Sequence, residues 1–205
     1  MIIKYIISYY FILFHIILYY MKFEDKVAYF IFFYIVVLVI SPKRYNVALP
    51  TIAVYPDNSE VKKVISAVKL RNQEDIDFFE KTDPSVVYAF EGEVNMERKE
   101  LSEIILSVNP IVYFFKYIIN RARPYQVVPD IAILDSKTGD TPSYPAGHAF
   151  QAYYLAGVLG DRYPEKRDIF KRIARRCDEV RVTAGIHYPS DGEFSKRLVN
   201  YIFNY

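Results

Sequence analysis

The stretch Arg181 to Asp191 reads RVTAGIHYPSD. It spaces a permanent cation, an imidazole and a carboxylate at fixed intervals: His187 stands six residues after Arg181, and Asp191 four after His187. Two earlier stretches carry matching chemistry. One holds Lys116 and Arg123, the other is Pro145-Ala146-Gly147-His148. Together they supply three cations, two histidines and one carboxylate. Such a set suits a site that holds an oxyanion, attacks it with one histidine and protonates a leaving group with the other.

Local patterns place these residues on helices. Ile169, Phe170, Ile173, Ala174, Cys177 and Val180 recur at helical spacing after Pro164, predicting a helix to about Val182. Arg181 continues that face four residues after Cys177, so it points inward. Cys177 itself reads as a small core residue. The basic residues Lys166, Arg167, Lys171, Arg172 and Arg175 fall mostly on the opposite face, which reads as solvated. Ser190-x-x-Glu193 is a capping-box pattern, predicting a last helix with Phe194, Leu198 and Ile202 inward and Asp191 in its first turn. From His148 an apolar helix runs to about Tyr163, and Gly147 opens its first-turn N–H groups to an anion.

Upstream, Asn109-Pro110 predicts a helix start, the Asn as cap and the Pro at the first position, with the helix running to about Arg121. Lys116 and Arg123 are seven residues apart, two helical turns, and share a side if the helix reaches that far before Pro124 stops it. Phe114, Phe115, Ile118 and Ile119 around Lys116 argue for a partner or a ligand on its ammonium. Shorter helices are predicted from a cap at Asp57-Asn58-Ser59 to Leu70, over Gln73–Lys81 with Ile76 and Phe79 or Glu80 inward, from Asp83-Pro84 to Phe90, and over Met96–Ser107. Val127 to Tyr144 reads as a loop.

The totals bound the class. At 205 residues there is room for one domain and an extension, and a net charge of +2 is too small to imply nucleic acid. One cysteine excludes an intrachain disulfide. Residues 1–41 stand apart: Tyr5 to Met21 and Val27 to Ile40 are apolar runs around the charged break Lys22 to Lys26. Three readings of this segment stay open: an uncleaved membrane anchor through residues 5–40, a signal peptide, or a bland one in which the runs are apolar helices packed on the domain or Met21 is the true initiator. The flanking Lys4 and Lys43-Arg44 do not fix an orientation. The domain proper is placed at 42–205.

The three motifs resemble the signature of the type 2 phosphatidic acid phosphatase (PAP2) and vanadium haloperoxidase superfamily: K-x6-RP, PSGH and SR-x5-H-x3-D. They stand here as Lys116…Arg123-Pro124, Pro145-Ala146-Gly147-His148 and Arg181…His187…Asp191. The resemblance implies an all-α helical bundle similar to the soluble acid-phosphatase-like members. It implies a metal-independent phosphatase acting on phosphate monoesters, lipid or small soluble. Lys116, Arg123, Arg181, Gly147 and Ala146 then hold the phosphate, His187 attacks phosphorus, Asp191 sets its tautomer and His148 serves as acid and base. No cofactor is implied; vanadate is expected as an inhibitor, or as the cofactor if the chain is instead a haloperoxidase. Two departures stand out: the motif serine is Ala146, and the serine before the third-motif arginine is Val180. Loss of one hydroxyl donor costs about 1–3 kcal/mol of anion binding. A metal triad of His148, His187 and Asp191 leaves the three cations unexplained, and a fold kept without catalysis is the remaining alternative.

Overall fold

A computed structural model describes residues 59–203. The apolar runs, the boundary near residue 42 and the caps Asp57 and Asn58 lie outside the described residues. Within them the chain is helical, and an isolated bridge between Glu91 and Val94 is the β-type pairing it contains. In chain order the helices are α1 (Glu60–Leu70), α2 (Gln73–Thr82), α3 (Val87–Phe90), α4 (Arg98–Leu106), α5 (Asn109–Ile119), α6 (Pro124–Val127), α7 (Gly147–Arg162), α8 (Arg167–Thr183) and α9 (Pro189–Phe203). A 3-10 turn over Pro164–Lys166 precedes α8.

Helix α7 is the axis. Phe150, Leu155 and Leu159 supply its bulk, while Ala149, Ala152, Ala156, Gly157 and Gly160 let neighbours approach closely. The core around it gathers Phe90, Leu101, Val112, Phe170, Ala174, Cys177 and Val199 from α3, α4, α5, α8 and α9. A methyl group at Gly157 would meet the Phe203 ring at 2.6 Å, so the end of α9 seats directly on the α7 backbone. Cys177 is a core residue, as its position on α8 predicted.

Several boundaries differ from the sequence pattern, each for a local reason. Helix α2 starts in a capping box that the pattern missed: Asp75 N donates to Asn72 Oδ1 at 3.0 Å and Asn72 N to Asp75 Oδ2 at 3.1 Å. On α2 Phe79 is buried and Glu80 exposed. Asp83 does not cap a helix to Phe90; its carboxylate is occupied elsewhere, and only Val87–Phe90 becomes helical. Asn109 is the first residue of α5 rather than its cap, because its Oδ1 accepts from Gln151 Nε2 at 2.7 Å. Helix α5 stops at Ile119, where Asn120 turns left-handed at φ 49°. Pro124 therefore starts a helix, α6, instead of ending one. On α9 the buried face is Ser190, Asp191, Ser195 and Val199, and Ile202 is exposed. Ser190 is drawn inward by Glu60, not used as a cap.

Replacing a fully buried α7 side chain tests this axis. Leu155→Ala should lower unfolding free energy by about 2–5 kcal/mol, read as a fall in the urea midpoint.

Candidate active site

Four segments converge on one cavity of about 500 Å3. Helix α5 brings Lys116, the start of α6 brings Arg123, the first turn of α7 brings Gly147 and His148, and the α8–α9 turn brings Ile186 and His187; all six line the cavity. The turn is made possible by Gly185. It sits at φ +80°, and a Cβ there would lie 3.1–3.2 Å from Ile131, Ile133 and Val68. Its amide closes the end of α8 onto Val182 O at 2.9 Å, and His187 follows two residues later.

His187 is held from behind. Its Nδ1 lies 3.0 Å from Asp191 Oδ2, and its Nε2 lies 3.3 Å from Arg123 Nη1 on the cavity side. Asp191 is fully buried and accepts from four groups: His187 Nδ1, the Tyr188 N–H at 2.9 Å, the Ser143 hydroxyl, and Arg121 Nη1 at 2.8 Å. Burial opposes its ionisation, yet the bonds from His187 and Ser143 and the charge of Arg121 bring its carboxyl down to about 2. A carboxylate on Nδ1 fixes the tautomer that keeps Nδ1–H and leaves the Nε2 lone pair facing the cavity. Burial, followed by the neighbouring Arg123, lowers the His187 imidazole to about 3, so Nε2 is unprotonated across the ordinary pH range.

His148 lines the same cavity. Its Nε2 lies 2.8 Å from the Asp83 carbonyl and donates to it, which leaves the lone pair of the neutral ring on Nδ1. Burial and the charge of Arg181 push it well below the usual imidazole range.

The cations divide into two kinds. Lys116 and Arg123, 3% and 2% exposed, form no ion pair with a carboxylate among the described residues. Lys116 Nζ donates to the Pro142 carbonyl, and Arg123 donates to Thr141 O at 2.8 Å, Ile186 O at 2.9 Å and Thr141 Oγ1 at 3.3 Å. Arg181 is different. It is fully buried and does not line the cavity, since Nη1 donates to Asp83 Oδ1 at 3.1 Å, Nη2 to Thr82 Oγ1, and the guanidinium lies over the Phe79 ring. Ala146 also stands back from the cavity, because its N–H is donated to the Asp191 carbonyl at 3.1 Å. Val180 is a core residue. Among the described residues no group of three or more His, Cys, Asp or Glu side chains converges as metal ligands do.

Sequence reasoning missed Asp83, Arg121, Ser143 and Glu60. Asp83 joins three parts of the site. Its carbonyl holds His148, one carboxylate oxygen takes Arg181 and the Ser136 hydroxyl at 2.7 Å, and the other takes Lys137 N at 2.9 Å. The loop so tied carries the exposed Lys137, Thr138 and Asp140 to the cavity mouth, and Ile105, Leu106 and Val112 supply apolar lining. Of these, Arg121 alone carried a signal, since it stands two residues before a motif arginine. Asp83→Ala would leave the buried Arg181 guanidinium unpaired, so it should destabilise the fold by about 3–5 kcal/mol in urea denaturation.

A family model of the PAP2 superfamily matches residues 100–196, a span that includes every motif position named above. A crystal structure of a transmembrane PAP2-type phosphatidylglycerolphosphate phosphatase from Bacillus subtilis has the same fold: TM-score 0.52 and 19% identity, covering 85% of this chain and 90% of that one. No curated relative matches the chain. Among the described residues no single helix is long and apolar enough to cross a membrane; α4 together with residues 109–127, bent by 41°, passes that test as a pair. Residues 100–196 thus match the PAP2 superfamily, and the chain shares the helical fold of a PAP2-type phosphatase.

Proposed function

We propose that the chain is a metal-independent phosphatase that hydrolyses phosphate monoesters through a phosphohistidine on His187. One observation carries this reading. Two buried cations, Lys116 and Arg123, line the cavity without a carboxylate partner, and the His187 ring lies between Arg123 and Asp191. Buried charges are stable when paired, so such a cavity calls for an anion. Arginine and lysine donors beside the Gly147 turn suit the oxygens of a phosphoryl group.

In the first step the Nε2 lone pair of His187 attacks phosphorus. A P–N bond forms as the P–O bond to the alcohol breaks, and the leaving oxygen takes a proton from Nδ1 of His148. Asp191 keeps its bond to Nδ1–H and stabilises the cationic phosphoimidazole. In the second step His148 takes a proton from water, water oxygen bonds to phosphorus, and the P–N pair returns to Nε2 with release of phosphate. Lys116 and Arg123 neutralise the oxygens throughout, and Arg181 adds its charge from behind His148. The alcohol portion lies against Ile105, Leu106 and Val112, a wall that accepts a lipid or a small apolar alcohol. Membrane association through residues 5–40 is the matching placement for a lipid substrate.

The test is p-nitrophenyl phosphate hydrolysis by the full chain, with EDTA, with orthovanadate, and with His187→Ala. Turnover is expected to resist EDTA, to fall with vanadate and to vanish in the variant. Wild-type turnover in His187→Ala would sink the mechanism. A panel of lipid and soluble phosphates then separates the substrate classes.

The pH dependence follows from the histidines. Burial and the charge of Arg181 hold the His148 imidazole below its usual range, so in this scheme its proton arrives with the phosphate, whose second ionisation lies near pH 6. The rate, kcat/KM, should therefore fall as pH rises through about 6–7. The acid limb should lie far lower, where His187 protonates at about 3. His148→Ala is expected to flatten the alkaline limb.

A further inference from the structure

Behind the His187–Asp191 pair runs a second line of charge that none of the three motifs contains. Glu60, at the first position of α1, is buried, as is Arg121 in the turn between α5 and α6. Arg121 Nη2 donates to Glu60 Oε2 at 3.3 Å, and Nη1 donates to Asp191 Oδ1 at 2.8 Å and to Ser190 Oγ at 2.7 Å. Ser190 in turn donates its N–H to Glu60 Oε1 at 3.0 Å, and its hydroxyl to Glu60 Oε2. The guanidinium carbon lies 3.8 Å from the centroid of the Tyr188 ring, which closes its open face.

The geometry fixes what this arrangement does. Asp191 Oδ2 already receives His187, Tyr188 N and Ser143. Arg121 takes the other oxygen, so the carboxylate cannot rotate about its axis without losing a charge-assisted bond. A point charge would not define that plane, whereas a guanidinium pinned by Glu60 and stacked on Tyr188 does. Glu60 also balances the charge of Arg121, leaving the net negative charge of the line directed at His187 and the cavity cations.

We propose that Arg121, pinned by Glu60, is the positioning residue that sets the Asp191 carboxylate against His187. This rests on the reading of His187 as the nucleophile. Arg121 touches no substrate, so its loss should slow phosphoryl transfer and leave binding unchanged.

The test compares Arg121→Met/Glu60→Met, which removes both buried charges together, with Arg121→Lys and His187→Ala, all in the full chain with p-nitrophenyl phosphate. The thermal midpoint reports whether each variant is folded. The double variant is expected to lose about 10- to 100-fold in kcat, the range found when outer partners that orient a ligating histidine are removed, with KM unchanged. Arg121→Lys, which keeps the charge without the fork, should fall between it and wild type. Wild-type kcat in a folded double variant would overturn the proposal, as would a loss carried by KM. If the double variant does not fold, Arg121→Lys decides: lowered kcat at unchanged KM supports the role, and wild-type kcat refutes it. His187→Ala separates the two levels. If it stays active, the phosphohistidine reading has failed; if it is dead while the Arg121 variants run at wild-type kcat, only the positioning role has failed.

Discussion

Asp191 is a carboxylate with no solvent and four donors, and much of the described chain is arranged to deliver those donors. His187 and Tyr188 come from the turn before α9, Ser143 from the loop before α7, and Arg121 from the turn after α5. A buried anion of this kind is tolerated only when every lone pair is satisfied. The carbonyl of the same residue accepts the N–H of Ala146 and the hydroxyl of Ser195, so it also fixes where α7 begins. One residue thus ties the orientation of His187 to the register of the central helix.

Charge pairing separates structure from chemistry here. Arg121 and Arg181 are buried against Glu60, Asp191 and Asp83, and these pairs offset the cost of removing each ion from water. Lys116 and Arg123 have carbonyls and a hydroxyl instead, which solvate a cation without cancelling its charge. The uncancelled pair faces the cavity. That asymmetry, more than the presence of any single side chain, is what the proposed oxyanion site rests on.

The motif spacing carried the site far, because Lys116, Arg123, Gly147, His148 and His187 do line one cavity. It carried Arg181 and Ala146 less far. Helical periodicity placed Arg181 inward correctly, but periodicity cannot tell a cavity wall from the layer behind it, and Asp83 claims that guanidinium. Asp83 and Glu60 were invisible as site residues because their partners lie 98 and up to 130 positions away, beyond any local pattern. The fold was legible where apolar residues recur at helical spacing, as on α7 and α8. It was misread where polar residues turn inward: Ser190, Asp191 and Ser195 rotate the buried face of α9 away from the one its apolar residues suggest. The end of α5 was misplaced because Asn120 adopts a conformation that a proline rule does not foresee.

The bond from His148 to position 83 is made to a main-chain carbonyl, whereas the bonds from Arg181, Ser136 and Lys137 are made to the side chain. Every amino acid carries that carbonyl. The orientation of His148 is therefore insulated from sequence drift at position 83, provided the backbone path survives. Arg181 and the loop at the cavity mouth have no such protection. A lineage could remodel the mouth by changing this one side chain while inheriting the His148 geometry intact, which makes position 83 a seam between the loop at the mouth and the histidine within.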